Sequence, residues 1–329
     1  MNRVLYSLDE VAQRITTGAR LVLAGDEAVL SKLPKGRWIG GTIPYFMGAD
    51  GGVMSKDLIH VTELPASVET ASCTTYRADT IARVYADAPA NGFSIIIITA
   101  ASPTHLSFAV NAPTYEGFAT SPLIGWISGV HVDEIGKRRA KVFFGETGEA
   151  LEDGAVVMQA TLPAGTYADL NIINIFSQGD GDTITFPEDG FIVGDAFING
   201  ENTNFADYIA ARTLDTRLPL VANYCGAMIN ISIQRIDTAS RRVHLYAPVF
   251  RDVQYRHAAP VGDYVREFTG HLPHDGIDSI FFSCNCILNY LYSELEGRKT
   301  GGITGPITFG EIAYQLLNQT MAYLTIRSL

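Results

Sequence analysis

Four short blocks recur in the same order along this chain at nearly one spacing, and no other feature restricts its fold as strongly. Leu33-Pro34 stands 185 positions before Leu218-Pro219, and Gly40-Gly41-Thr42 stands the same distance before Cys225-Gly226-Ala227. Ile96-Ile97-Ile98-Thr99 precedes Ile280-Phe281-Phe282-Ser283 by 184, as Pro122-Leu123 precedes Pro306-Ile307. Blocks repeating at a fixed offset mark a duplicated structural unit. The spacing predicts two pseudo-repeated αβ halves, residues 1–190 and 191–329, with a cleft between them of the kind that holds small ligands. The plainer alternative is two ordinary αβ folds whose shared turn residues punctuate the chain alike.

Local patterns give the class. Ser7 and Glu10 form a capping box, Leu8, Val11, Ala12 and Ile15 share one helical face, and Gly18 ends that helix. Thereafter β-branched and aromatic runs dominate, at residues 20–24, 59–64, 93–99, 122–130, 140–144, 155–162 and 170–176. Asn204 caps a helix, residues 228–236 and 242–250 flank the turn Asp237-Thr238-Ala239-Ser240, and a helix is expected over 285–296. The fold class is α/β of the α+β kind, with mixed, largely antiparallel sheets flanked by helices. The Gly- and Asp-rich stretch opening with Gln178-Gly179-Asp180-Gly181-Asp182 reads as the seam between halves.

Charge narrows the partners. A net charge of -11 would repel a nucleic-acid backbone. The densest basic stretch, Lys137, Arg138, Arg139 and Lys141, is flanked by acidic residues and reads as a solvated turn. The N-terminus lacks a secretory pattern and the longest apolar runs fall short of the ~20 residues that span a bilayer, so a cytoplasmic protein without membrane contact is expected. Cysteines 73, 225, 284 and 286 are too few and too irregular for a disulfide framework and read as reduced thiols.

Several groups carry chemistry. Cys284 and Cys286 end an apolar strand where a helix dipole would favour a thiolate, against the reading as small buried residues. His271, His274 and Asp275 offer metal donors, but Pro273 rules out a helical pair and a solvated loop is the better reading. Asp180, Asp182, Glu188 and Asp189 lack the ligand spacing of a calcium loop. No metal or cofactor is expected. Glu311 follows a glycine turn and is expected to open a helix, either satisfying its own N-terminus or pointing into the cleft. Trp38, Tyr45, Trp126 and Tyr224 are large rings near glycine turns, as core or as pocket walls.

Near the C-terminus Phe281-Phe282-Ser283-Cys284-Asn285-Cys286, then Phe309-Gly310-Glu311-Ile312, then Asn318-Gln319-Thr320 follow one another. This segment, over roughly residues 220–329, resembles the C-terminal part of FIST sensory proteins, and Gly40-Gly41-Thr42 resembles the glycine turn of their N-terminal part. Asn285 follows Cys284 where a nearby Arg is usual in that family, so a bidentate clamp for a ligand carboxylate is missing. The resemblance implies a FIST N-like half over 1–190, a FIST C-like half over 191–329, and a non-enzymatic sensory protein that signals through a separate protein partner. A small polar ligand is expected against Gly40, Gly41, Thr42, Cys225, Gly226, Cys284, Asn285 and Glu311. The rival is a cysteine-dependent enzyme with Cys284 or Cys225 as nucleophile.

Overall fold

The computed structural model describes residues 3–224, 227–272 and 279–329. Its strands assemble into mixed sheets with helices on their outer faces, the expected α/β class. The capping box forms as predicted, with Ser7 accepting from the Glu10 amide and the Glu10 carboxylate accepting from the Ser7 amide. Asn204 likewise caps Phe205–Arg212. No helix among the described residues is long and apolar enough to cross a membrane.

Strand pairing divides the chain differently from the expected halves. One pairing order, antiparallel, antiparallel, parallel, antiparallel, antiparallel, occurs in three six-stranded sheets. Each sheet is centred on a parallel pair joined through a helix. These pairs are Leu21–Gly25 with Trp38–Thr42, Gly92–Ile98 with Leu123–Ile127, and Ile280–Cys286 with Gly305–Thr308. Each pair is followed by a hairpin and then by a return strand, Ile59–Glu63, Ala155–Thr161 or Met321–Ser328, antiparallel to the first strand of its pair.

The hairpins do not stay with their own sheets. Tyr45–Gly48 of the first unit pairs with Gly305–Thr308 of the third. Val142–Phe144 of the second pairs with Trp38–Thr42 of the first, and Glu311–Ala313 of the third pairs with Leu123–Ile127 of the second. The exchange closes into a ring. Between Ile173 and the helix Tyr264–Gly270 the third unit carries an insertion with its own helix and strands. The predicted hairpin lies in this insertion, but its first strand breaks at Ser232: Ile233–Asp237 pairs with Arg242–Val249, while Ala227–Ile231 turns to Leu220–Tyr224.

Two of the four recurring blocks therefore mark equivalent strands. Ile96 to Ile98 and Ile280 to Ser283 lie on the first strands of the parallel pairs in units two and three, and Leu123 and Ile307 lie on the second strands. Of the other two, Leu33-Pro34 and Leu218-Pro219 join unit one to the insertion and are not equivalent, and Cys225 and Gly226 lie outside the described residues. The strand that matches Trp38–Thr42 by pairing is Leu123–Ile127.

Alternation along the strands places the core. In the second unit Phe93, Ile95 and Ile97 face a cluster shared with Val22, Ala24 and Ile39 of the first unit and Phe282, Cys284 and Cys286 of the third. Ile96 and Ile98 face outward, against Phe108 and the insertion's Phe186, Phe205 and Tyr255. Leu21 and Leu23 face Val11 and Ile15 of the first helix. Each such buried aliphatic or aromatic side chain stabilises the fold by roughly 1.5–3 kcal/mol.

Gly41, expected in a turn that admits ligand, sits within Trp38–Thr42 where two sheets touch. A Cβ there would lie 2.5 Å from Ile97 Cγ2 and 3.2 Å from Trp126 Nε1. Gly41→Ala is expected to cost about 1–3 kcal/mol in urea unfolding through overpacking. Gly194→Ala, with nothing within 4 Å of the added carbon, should stay within about 0.5 kcal/mol of the parent. Equal losses at the two positions would contradict the sheet contact.

Candidate functional site

The expected site is a packed polar knot rather than a cleft. Cys284, Asn285 and Glu311 do come together, at the end of Ile280–Cys286 and the start of Glu311–Ala313, and all are buried. The Cys284 thiol donates to the Gly125 carbonyl at 3.1 Å. Asn285 Oδ1 accepts from the Cys286 amide at 2.7 Å and from Asn289 Nδ2 at 2.9 Å. Glu311 Oε2 accepts from the Thr320 hydroxyl at 2.8 Å and from its amide at 3.3 Å. These groups already hydrogen-bond to one another or to the backbone around them.

Gly40, Gly41 and Thr42 lie on the neighbouring sheet, where Gly41 faces Trp126, whose cross-strand partner is Glu311. Thr42 accepts from the Lys141 amide at 2.9 Å, and its carbonyl accepts from Gly129 at 2.6 Å. Cys225 and Gly226 lie outside the described residues, as do Pro273, His274 and Asp275 of the histidine segment. Trp38 and Trp126 are core residues, Trp126 stacking on Phe282, and buried Tyr45 stacks on His131.

Glu311 corrects a second expectation. Instead of opening a helix it begins a strand, because Ile312 pairs with Gly125 and the chain reverses at Tyr314 into Gln315–Leu317. The cysteines are free thiols, as expected for the three described. Cys286 stands at the N-terminal end of the helix Ile287–Tyr292 without a side-chain cap bond, and burial pushes both its thiol and that of Cys284 well above the usual value, with the Glu311 carboxylate adding to the rise. Desolvation outweighs the helix dipole, and neither thiol is activated. Among the described residues no group of three or more His, Cys, Asp or Glu side chains is placed to hold a metal ion.

Open space lies elsewhere, in the insertion. A cleft of about 300 Å³ runs between the Gln178 to Asp182 segment, Tyr208 of the helix Phe205–Arg212, and His257 with the residues that follow it. Backbone hydrogen bonds pin one wall to the other: Gly179 N donates to the His257 carbonyl and Ala259 N to the Ser177 carbonyl, each at 3.0 Å. A Cβ on Gly179 would meet that His257 carbonyl at 2.9 Å, whereas one on Gly181 would meet nothing within 4 Å. Asp182 accepts from Asn199 Nδ2 at 2.7 Å, the Tyr208 hydroxyl at 3.0 Å and Arg212 at 2.9 Å. The Asn199 and Tyr208 hydrogen bonds chiefly hold its carboxyl below the usual range. His257 Nε2 meets the Asp215 carbonyl at 2.9 Å.

The cleft offers fixed acceptors, two rings and an accessible backbone turn, a set that orients a small polar molecule. In sequence its Gly-Asp-Gly-Asp wall reads as a seam and a failed calcium loop. Tyr208 and His257, far apart in sequence, carry no local signal. Along residues 6–327 the chain matches the model of a family of unknown function, DUF6976. No curated protein matches it.

The knot has a measurable signature. Burial raises the Glu311 carboxyl from an ordinary 4.5 to about 8, against the opposing pull of the Thr320 hydrogen bonds. Below 4.5 both folded and unfolded chains hold this proton. Between 4.5 and 8 only the folded chain does, so stability falls as pH rises through that window and levels off above it. The full loss from this group is on the order of 5 kcal/mol. Glu311→Gln is expected to remove this slope from urea-unfolding free energies measured between pH 5 and 9. Parallel pH profiles for the two proteins would contradict a buried, protonated Glu311.

Proposed function

The chain belongs to the family DUF6976, whose function is unknown, and from its own geometry we propose that it binds a small polar ligand without turning it over. The single observation that carries this reading is the cleft of about 300 Å³ walled by Asp180, Asp182, Tyr208 and His257. Its volume falls at the lower end of small-molecule sites. Exposed Asp180 and the Asp182–Tyr208 pair favour a ligand that presents hydrogen-bond donors or a positive charge.

The sensory half of the proposal comes from the FIST-like order of the C-terminal blocks. In this reading the protein works in the cytoplasm and ligand occupancy is passed to a separate protein partner. The recurring units, copies of one αβ element, supply the rigid body on which the insertion holds the cleft. The rival cysteine enzyme has less support at Cys284, which is buried with its thiol pKa raised, while its other candidate nucleophile, Cys225, lies outside the described residues.

A thermal-shift screen of small amines, amino acids and polyols tests the proposal, because a ligand that binds only the folded state raises Tm by mass action. At least one compound should give a saturable rise, be recovered chemically unchanged, and lose its effect in Ala259→Trp, which fills the cleft. A screen without a saturable shift, or shifts that persist in Ala259→Trp, would contradict the site.

A further inference from the structure

A second recess opens where the second unit, the third unit and the insertion meet, separate from the insertion's cleft. Its enclosed volume is about 40 Å³, and its lining includes Cys286, Phe309, Leu291, Ile135, Tyr246 and Asn318. Cys286 ends the first strand of the third unit's parallel pair, and Phe309 follows the second strand directly. The recess therefore lies outside the carboxyl ends of parallel strands, where the adjoining loops diverge and leave room for ligands. Ile135 comes from the second unit and Tyr246 from the insertion.

The chemistry of the lining is one-sided. Ile135 and Leu291 at the rim are 54% and 40% exposed, although both are apolar. Asn318 is fully buried, yet its Oδ1 has no hydrogen-bond partner among the described residues. Its Nδ2 donates to the Leu317 carbonyl at 3.0 Å, which fixes the amide orientation and leaves the oxygen as the free group. A buried acceptor without a donor is costly, and a donor that reaches it recovers that cost.

We propose that this recess is a binding site for a small, mainly apolar molecule carrying one O–H or N–H donor, which Asn318 Oδ1 accepts while the apolar body lies along Leu291 and Ile135. The small enclosed volume limits the inserted end to a few heavy atoms. An isomer without the donor leaves Asn318 unpaired and is rejected, as buried polar groups reject analogues that cannot satisfy them.

The test uses 1-butanol and its isomer methyl propyl ether, read by saturation-transfer NMR titration on the full chain. The alcohol should bind saturably and at least about tenfold more tightly than the ether. Asn318→Leu should level the two, and Leu291→Trp, which closes the mouth at a half-exposed position, should abolish both while the amide spectrum stays folded. Equal binding of the two isomers to the parent protein, absence of saturable binding, or an unchanged butanol signal in Leu291→Trp would each overturn the site. If Asn318→Leu does not fold, the isomer comparison on the parent together with Leu291→Trp decides the question.

Discussion

The cyclic exchange of hairpins is the constraint on which the rest of this structure depends. Each unit lacks two strands of its own sheet and receives them from another, so each sheet needs a second unit and the three sheets together need all three. The inward faces of the three sheets then share one apolar cluster, in which Ile97, Trp126 and Phe282 meet side chains from the first unit. Non-local pairing of this kind carries a large loop-closure cost before its contacts form. Once closed, the ring leaves the core no independent part to open.

That closure explains why the polar groups at its centre are structural. Glu311 sits on an exchanged hairpin and is gripped by Thr320 at the entry to the return strand, while Asn285 and Asn289 tie the adjoining strand end to its helix. A buried polar network is tolerated when its hydrogen bonds are made, and it then fixes one arrangement of the elements that carry it. The open spaces are the insertion's cleft and the recess at the carboxyl ends of the third parallel pair.

The local elements were legible in the sequence, and the long-range pairing was not. The Ser7–Glu10 box, the Asn204 cap and the long isoleucine strand are short-range patterns and were legible as such. The recurring Ile96 and Pro122 blocks fall at strands with like pairing in the second and third units, but with the insertion after Ile173 no single offset describes all three units. Gly41 looked like a ligand-facing turn because glycine permits any close approach, and only the partner sheet shows that the approach is made by Ile97. Glu311 looked like a helix start because Gly310 precedes it, whereas its pairing partner is Trp126, 185 residues upstream.

Native-state hydrogen exchange tests the closed ring most directly, since amides released only by global unfolding share one opening free energy. The account predicts that slow amides in Tyr45–Gly48, Val142–Phe144 and Glu311–Ala313 exchange with the same free energy and denaturant dependence as those of the central strand Gly92–Ile98. Exchange of any one hairpin through a separate, lower-energy opening, with the central strand still protected, would contradict it.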